Sequence, residues 1–234
     1  MRIRIGVTAQ QVLLLAACST LLFGCVSRRL ADRPIEGEPI RLVVRVAPDA
    51  RVHADYSVRI NPEDPVGSLL SVGTTIAKAD QAIRVQQRMD AAMRTLDLPG
   101  IIEDGIGEFF SYEMDMPTVQ SSREASYHAH VDVRRYGIDA GGPGSSVRFV
   151  LQGRVEMHDR YSGERIWRMS FNEEQRVSPS VFGLPQAAGN VLTAAMLAEL
   201  SEEDIARGID NIARSATWSV GEQFRRDLYR ARRR

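Results

Sequence analysis

Val155-Glu156-Met157-His158-Asp159-Arg160-Tyr161-Ser162-Gly163-Glu164-Arg165-Ile166-Trp167 is the stretch on which the fold turns. Apolar residues alternate with polar ones on both sides of Tyr161-Ser162-Gly163-Glu164. Strict alternation marks strands with one buried face. A glycine in a short connection supplies the positive φ of a tight hairpin. The alternation extends in both directions. Strands are predicted over Ser126–Tyr136, Val147–Asp159 and Arg165–Arg176. Their inward sets are Tyr127, Ala129, Val131 and Val133; then Val147, Phe149, Leu151, Val155 and Met157; then Trp167, Met169 and Phe171. Gly141–Ser146 links the first two. The three form an antiparallel meander with one face to the core.

C-terminal to the meander the period changes to that of a helix. Gln186–Leu200 is alanine-rich. Ser201-Glu202-Glu203-Asp204 reads as an N-cap with acids in the first turn, where the helix dipole favours them. Ile205, Ile209, Ile212, Ala216, Val220, Phe224 and Leu228 then give a long apolar stripe. Its outer turns, with Phe224 and Leu228, are expected to project or seek a partner; the arginines beyond them either suit the helix dipole in a fraying end or meet an acidic protein surface or anionic lipid. N-terminal to the meander, Ile40–Val46 and Val52–Ile60 read as a hairpin turned at Ala47-Pro48-Asp49-Ala50 and closed by Asn61–Pro65. A helix is predicted from Thr74 or Thr75 to about Leu98, with Ile76, Ala79, Ile83, Ala92, Met93 and Leu96 near one face. Pro99-Gly100 separates it from a second helix over Ile101–Tyr112. The order ββ-αα-βββ-αα predicts an α+β fold: an antiparallel or mixed sheet of about five strands covered by helices, with a long C-terminal helix.

The chain opens Met1-Arg2-Ile3-Arg4, followed by an uncharged stretch from Ile5 to Val26. Positive residues, a short apolar core and small residues before a cut are the order of a secretory signal. Val12–Gly24 is short for a membrane span of about 20 residues. Leu15-Ala16-Ala17-Cys18 and Leu22-Phe23-Gly24-Cys25 both resemble the lipobox of bacterial lipoproteins, in which a small residue precedes a cysteine that is acylated and becomes the new N-terminus; the first is the closer match, and Phe23 is unusual in its place. Cutting before Cys18 would leave Leu21-Leu22-Phe23 at the mature end. Cutting before Cys25 leaves Val26-Ser27-Arg28-Arg29, polar almost at once, so Cys25 is the expected lipid attachment site. The domain plan is a signal peptide at 1–24, a tether at 25–40 rich in charge, proline and glycine, and a single periplasmic α+β domain at 41–234 whose helical end spans 186–232.

These are the only two cysteines, which leaves no disulfide framework, thiolate metal site or thiol nucleophile. Formal net charge is +0, so no global field points to nucleic acid. The apolar fraction of 44% is that of an ordinary globular chain, and the length suffices for one good core or two small ones. Lys78 is the one lysine; the other basic residues are arginine, which reads as coding bias.

The two lipobox-like stretches, the helix followed by a meander, and the hairpin Val155–Asp159 with Ser162–Trp167 resemble parts of several bacterial envelope lipoproteins. These are the auxiliary lipoproteins of ABC-type transporters, the lipoprotein activators of penicillin-binding proteins and the curli-secretion lipoprotein. Their domains are α/β units similar to the N-terminal domain of TolB. The resemblance covers about residues 74–175. It implies a protein that works by binding other envelope proteins. It also implies outer-membrane placement, because in such lipoproteins an aspartate after the acylated cysteine marks inner-membrane retention, and Val26 stands there.

One ligand-like cluster stands out, His128-Ala129-His130-Val131-Asp132, whose polar side chains share a strand face. Since Tyr127, Ala129, Val131 and Val133 form the buried face, the polar set reads as a solvated sheet face rather than a zinc site. Glu103, Asp104, Glu108, Glu113 and Asp115 read as surface acids around an aromatic edge. No nucleophile elbow, phosphate-binding lysine loop or dinucleotide fingerprint is present. No cofactor and no catalytic residue is nominated. The expected role is a non-enzymatic binding or scaffolding component of a transport or assembly complex, held to the membrane by acyl chains on Cys25. Its protein partner and oligomeric state carry no signature. The rival readings are a lipid- or glycan-binding carrier, which needs an apolar pocket between sheet and helices, and a metal-dependent hydrolase built on His128, His130 and Asp132.

Overall fold

The computed structural model describes residues 30–48, 50–54, 65–140, 147–177 and 186–233. The signal peptide, Cys25, the Gly141–Ser146 loop and the far half of the Val52–Ile60 strand lie outside them. The fold is α+β, with a mixed open sheet of five strands and helices on one face. In chain order these are β1 (Ile40–Val46), β2 (Arg51–Ala54), α1 (Pro65–Thr95), α2 (Leu98–Glu113), β3 (Tyr127–Ala140), β4 (Arg148–Asp159), β5 (Arg165–Arg176), α3 (Gln186–Glu199) and α4 (Glu202–Arg232).

The meander follows the alternation closely. Val131 pairs with Val155, which pairs with Met169; Ala129 pairs with Met157, which pairs with Trp167. All these side chains face the helices, and the polar residues between them face away. A register shift between Val133 and Arg135 re-sets the alternation, so Tyr136 and Ile138 point inward beyond it, opposite Leu151 and Phe149.

The N-terminal hairpin does not form. β1 and β2 both run parallel to β3 and lie one after the other along the same edge, at Tyr127–Val133 and Gly137–Ala140. The jog at 47–50 falls beside the irregularity in β3. Pro48, with no N–H for the ladder, interrupts the edge without reversing it. Gln86 of α1 fastens the second half: its side-chain oxygen accepts from Val52 N at 2.8 Å, and its amide donates to Ala50 O at 2.9 Å. Gly137, at φ +136°, sits where a Cβ would collide with the Arg51 carbonyl, so the close approach of β2 requires glycine.

α1 begins at Pro65, well before Thr74, with proline at a helix start where its missing N–H costs nothing. Its buried stripe is Ala82, Val85, Met89 and Ala92, while Ile76 and Ile83 are exposed. α2 begins earlier than expected, at Leu98. Asp97 accepts from Gly100 N at 3.0 Å, and Pro99 lies inside the first turn. The Ser201 cap is a complete capping box with Asp204.

α4 covers the sheet and carries α2 on its flank. Phe149 of β4 lies flat against Gly208, and Phe109 of α2 against Gly221; a Cβ at either glycine would enter the ring. The stripe from Ile205 to Leu228 is buried along its whole length, and so is Ala231. The expectation that its last turns project is therefore overturned. They pack because Trp167, at the start of β5, reaches their level: Trp167 Nε1 donates to Asp227 Oδ2 at 3.0 Å, and its ring meets Phe224 edge-on with centroids 5.0 Å apart.

The tether reading of 25–40 is also overturned for the part described. Leu30 is 2% exposed and Ile35 0%. Arg33 bridges Asp159 at 3.0 Å and Glu164 at 3.2 Å, and Tyr127 Oη donates to the Pro34 carbonyl at 2.7 Å. Proline, glycine and charge resemble a linker in composition, but two apolar residues and one arginine suffice to dock the segment.

Candidate interaction face

The outward sides of β1, β3, β4 and β5 make a broad polar surface with no described helix over it. Register places Arg41, Val43 and Arg45 beside His128, His130 and Asp132. These in turn lie beside His158, Glu156 and Arg154, and the last row is Arg165, Arg168 and Ser170. The sequence grouping of His128, His130 and Asp132 on one face holds. What local sequence did not reveal is His158, carried to them by the pairing of β3 with β4. The ring centroids of His128 and His130 are 6.4 Å apart, and those of His130 and His158 are 5.7 Å apart, in both cases edge-on.

Glu156 is the centre of charge on this face. Arg165 lies 3.3 Å from its carboxylate, Arg154 3.6 Å, Arg168 3.8 Å and His158 3.9 Å. One carboxylate shared among three guanidiniums leaves positive charge uncompensated. Asp132 offsets Arg134 at 3.3 Å, and Arg41 binds the Ser122 hydroxyl. The face is therefore cationic although the chain as a whole is neutral. Arginine forks on a rigid sheet suit carboxylate or phosphate. Among the described residues, no three His, Cys, Asp or Glu side chains are placed to hold a metal ion together.

His130 titrates below its ordinary value of 6.5, first because burial penalises the charged ring, then because His158, His128 and Arg45 repel a proton; Glu156 opposes this. Below 6.5 the unfolded chain thus binds more protons than the folded one. The stability that neutral His130 contributes is complete above 6.5 and is lost as pH falls through the lower, folded value. Urea unfolding at about pH 7.5 and about pH 5.5 should show a smaller loss of stability in His130→Gln than in the parent chain. An equal loss in both would place the acid sensitivity elsewhere.

Grooves open on the surface among the described residues. One of about 410 Å³, at the Arg134 end of the face, is lined by Ala47, Pro48, Arg51, His53, Arg135 and Tyr136. Two of about 290 Å³ flank the exposed Tyr112 of α2; one reaches Phe109, Arg214 and Trp218, the other Glu103, Asp104 and Glu108. The acids singled out in this region lie at the surface around buried Phe109 and Phe110, and Glu113 pairs with Arg225 at 3.3 Å. Between sheet and helices the described side chains form one apolar core.

Fold and face together define an open-faced α+β module with a cationic sheet surface. No protein-family model matches the chain, and no curated protein does. Among solved structures, the chain is similar to a candidate lipoprotein from Caulobacter crescentus CB15, at 11% identity over 57% of this chain and 85% of that one, with a TM-score of 0.33. It is similar to protein XCC0632 from Xanthomonas campestris, described under the family model DUF330, at 13% identity over 82% and 89%, with a TM-score of 0.33. It is also similar to a candidate neuraminyllactose-binding hemagglutinin homolog from Helicobacter pylori, at 9% identity over 77% and 97%, with a TM-score of 0.18.

Proposed function

We propose that this chain is a non-enzymatic lipoprotein of the bacterial envelope, acylated on Cys25, at the periplasmic face of the outer membrane. It binds an acidic partner surface through its open sheet face, as a component of a transport or assembly complex. The observation that carries the anchor is the order of the N-terminus: Arg2 and Arg4, an apolar stretch, Gly24-Cys25, and then a folded domain that starts by Leu30. Among the described residues no helix is long and apolar enough to cross a membrane. The partner class rests on the shared Glu156 carboxylate and the guanidiniums around it.

Replacing Cys25 tests the anchor. Cys25→Ser should leave the membrane pellet or accumulate as an unprocessed precursor, while Cys18→Ser stays membrane-bound and processed. Stable attachment needs more than one acyl chain, so the loss should be nearly complete. If Cys25→Ser remains acylated and Cys18→Ser does not, Cys18 is the site.

A further inference from the structure

The start of the folded chain and the end of α4 lie at the same end of the domain. Arg33 holds the segment after Leu30 to the β4–β5 hairpin, through Asp159 and Glu164. Glu36 holds it to Arg232 at 2.6 Å. Two tyrosines stand out from this end. Tyr161, at the hairpin tip, is 80% exposed, and Tyr229, near the end of α4, is 56% exposed. Each carries a guanidinium over its ring: Arg160 at 5.2 Å from the Tyr161 centroid and Arg233 at 4.3 Å from that of Tyr229.

Only Val26, Ser27, Arg28 and Arg29 separate Cys25 from Leu30. Whatever their conformation, five Cα–Cα steps span at most about 18 Å. The acyl chains on Cys25 end in the hydrocarbon of the membrane, so Leu30 cannot stand far from the headgroups. We propose that this end of the domain rests on the phospholipid surface, with Tyr161 and Tyr229 at headgroup level and the arginines beside them on lipid phosphate. This rests on the acylation of Cys25. Tyrosine is suited to the membrane interface by its apolar ring and polar tip, and arginine by its fork for phosphate. Asp32 and Glu36 are exposed at the same end, so the contact follows from the short connection and the ring–guanidinium pairs rather than from net charge. The domain does not stand off on a tether, and its far end points away from the membrane. His53 marks that far end: it pairs across from Asp139 of β3, while Asp159 beside the hairpin pairs across from Tyr127. Twelve residue steps along β3 separate the two levels, about 40 Å at 3.3 Å each.

The test uses the full-length, processed protein reconstituted in vesicles of phosphatidylethanolamine and phosphatidylglycerol. With Cys18 removed and Cys25 acylated, an introduced cysteine is the single free thiol. Tyr161→Cys and His53→Cys are each given an environment-sensitive fluorophore, and quenching by nitroxide-labelled lipid is compared with quenching by aqueous iodide. The Tyr161→Cys label should be quenched several-fold more by the lipid nitroxide than the His53→Cys label, and iodide should show the reverse order. Equal lipid quenching at the two sites, or stronger quenching at position 53, overturns the orientation while leaving the anchor intact. If the parent chain, with no cysteine added, takes up the label, Cys25 is unacylated and the anchor fails, and the orientation with it.

Discussion

Phe224→Ala should lower the stability of the domain by about 3–5 kcal/mol, the usual cost of emptying a buried aromatic site. Phe224 is 0% exposed and stands where three elements meet. Its ring packs edge-on against Trp167 of β5, with centroids 5.0 Å apart, and against Phe110 of α2 at 5.1 Å. Phe110 continues to Phe109, and Phe109 to Trp218, which lies nearly two turns before Phe224 on α4. Removing the central ring takes away both edge-on contacts and leaves a cavity that the rigid sheet cannot close. Most domains have only about 5–15 kcal/mol in total, so the variant should show a much lower urea midpoint or fail to accumulate. Phe224→Leu, which retains most of the volume, should lose clearly less. A Phe224→Ala protein within about 1 kcal/mol of the parent would mean that α4 does not dock as described.

Removal of residues 225–234 should unfold or severely weaken the domain. Read from sequence alone, this arginine-rich end is a projecting contact element whose loss spares the fold. The structure reverses the expectation. Leu228 and Ala231 are buried, and Asp227 accepts the Trp167 indole N–H. Losing the buried Leu228 alone costs about 2–3 kcal/mol, and Phe224 and Trp167 would then face water. The ion pairs of Arg225 with Glu113 and Arg232 with Glu36 are exposed and add little. Thermal unfolding of the truncated chain checks this, and a melting temperature equal to the parent's would refute it.

The meander was legible because the alternation at Tyr127–Val133, Phe149–Met157 and Trp167–Phe171 is local, and each inward set lies on the core side of the sheet. The C-terminal helix was legible in extent and in stripe, but not in what covers it. Coverage depends on where Trp167 falls relative to Phe224, a contact 57 residues apart in the chain. Pro48-Asp49 signals a reversal between β1 and β2, whereas the direction of β2 is set by its parallel pairing with β3. On α1, Ile76 and Ile83 outrank Ala82 in hydrophobicity, yet the helix buries the face that α3, α4 and β2 meet. Of the candidate face, His128, His130 and Asp132 were visible as alternating residues of one strand. His158, Glu156 and the arginines around it were not, because only strand register brings them together.

The central claim is a lipid anchor on Cys25, set close against a folded domain. Mass spectrometry of the N-terminal peptide from protein extracted out of the native membrane tests it most directly. The account predicts a peptide that begins at Cys25 and carries the added mass of two or three acyl chains. A peptide that begins at Met1 or at another residue, with Cys25 unmodified, would contradict it.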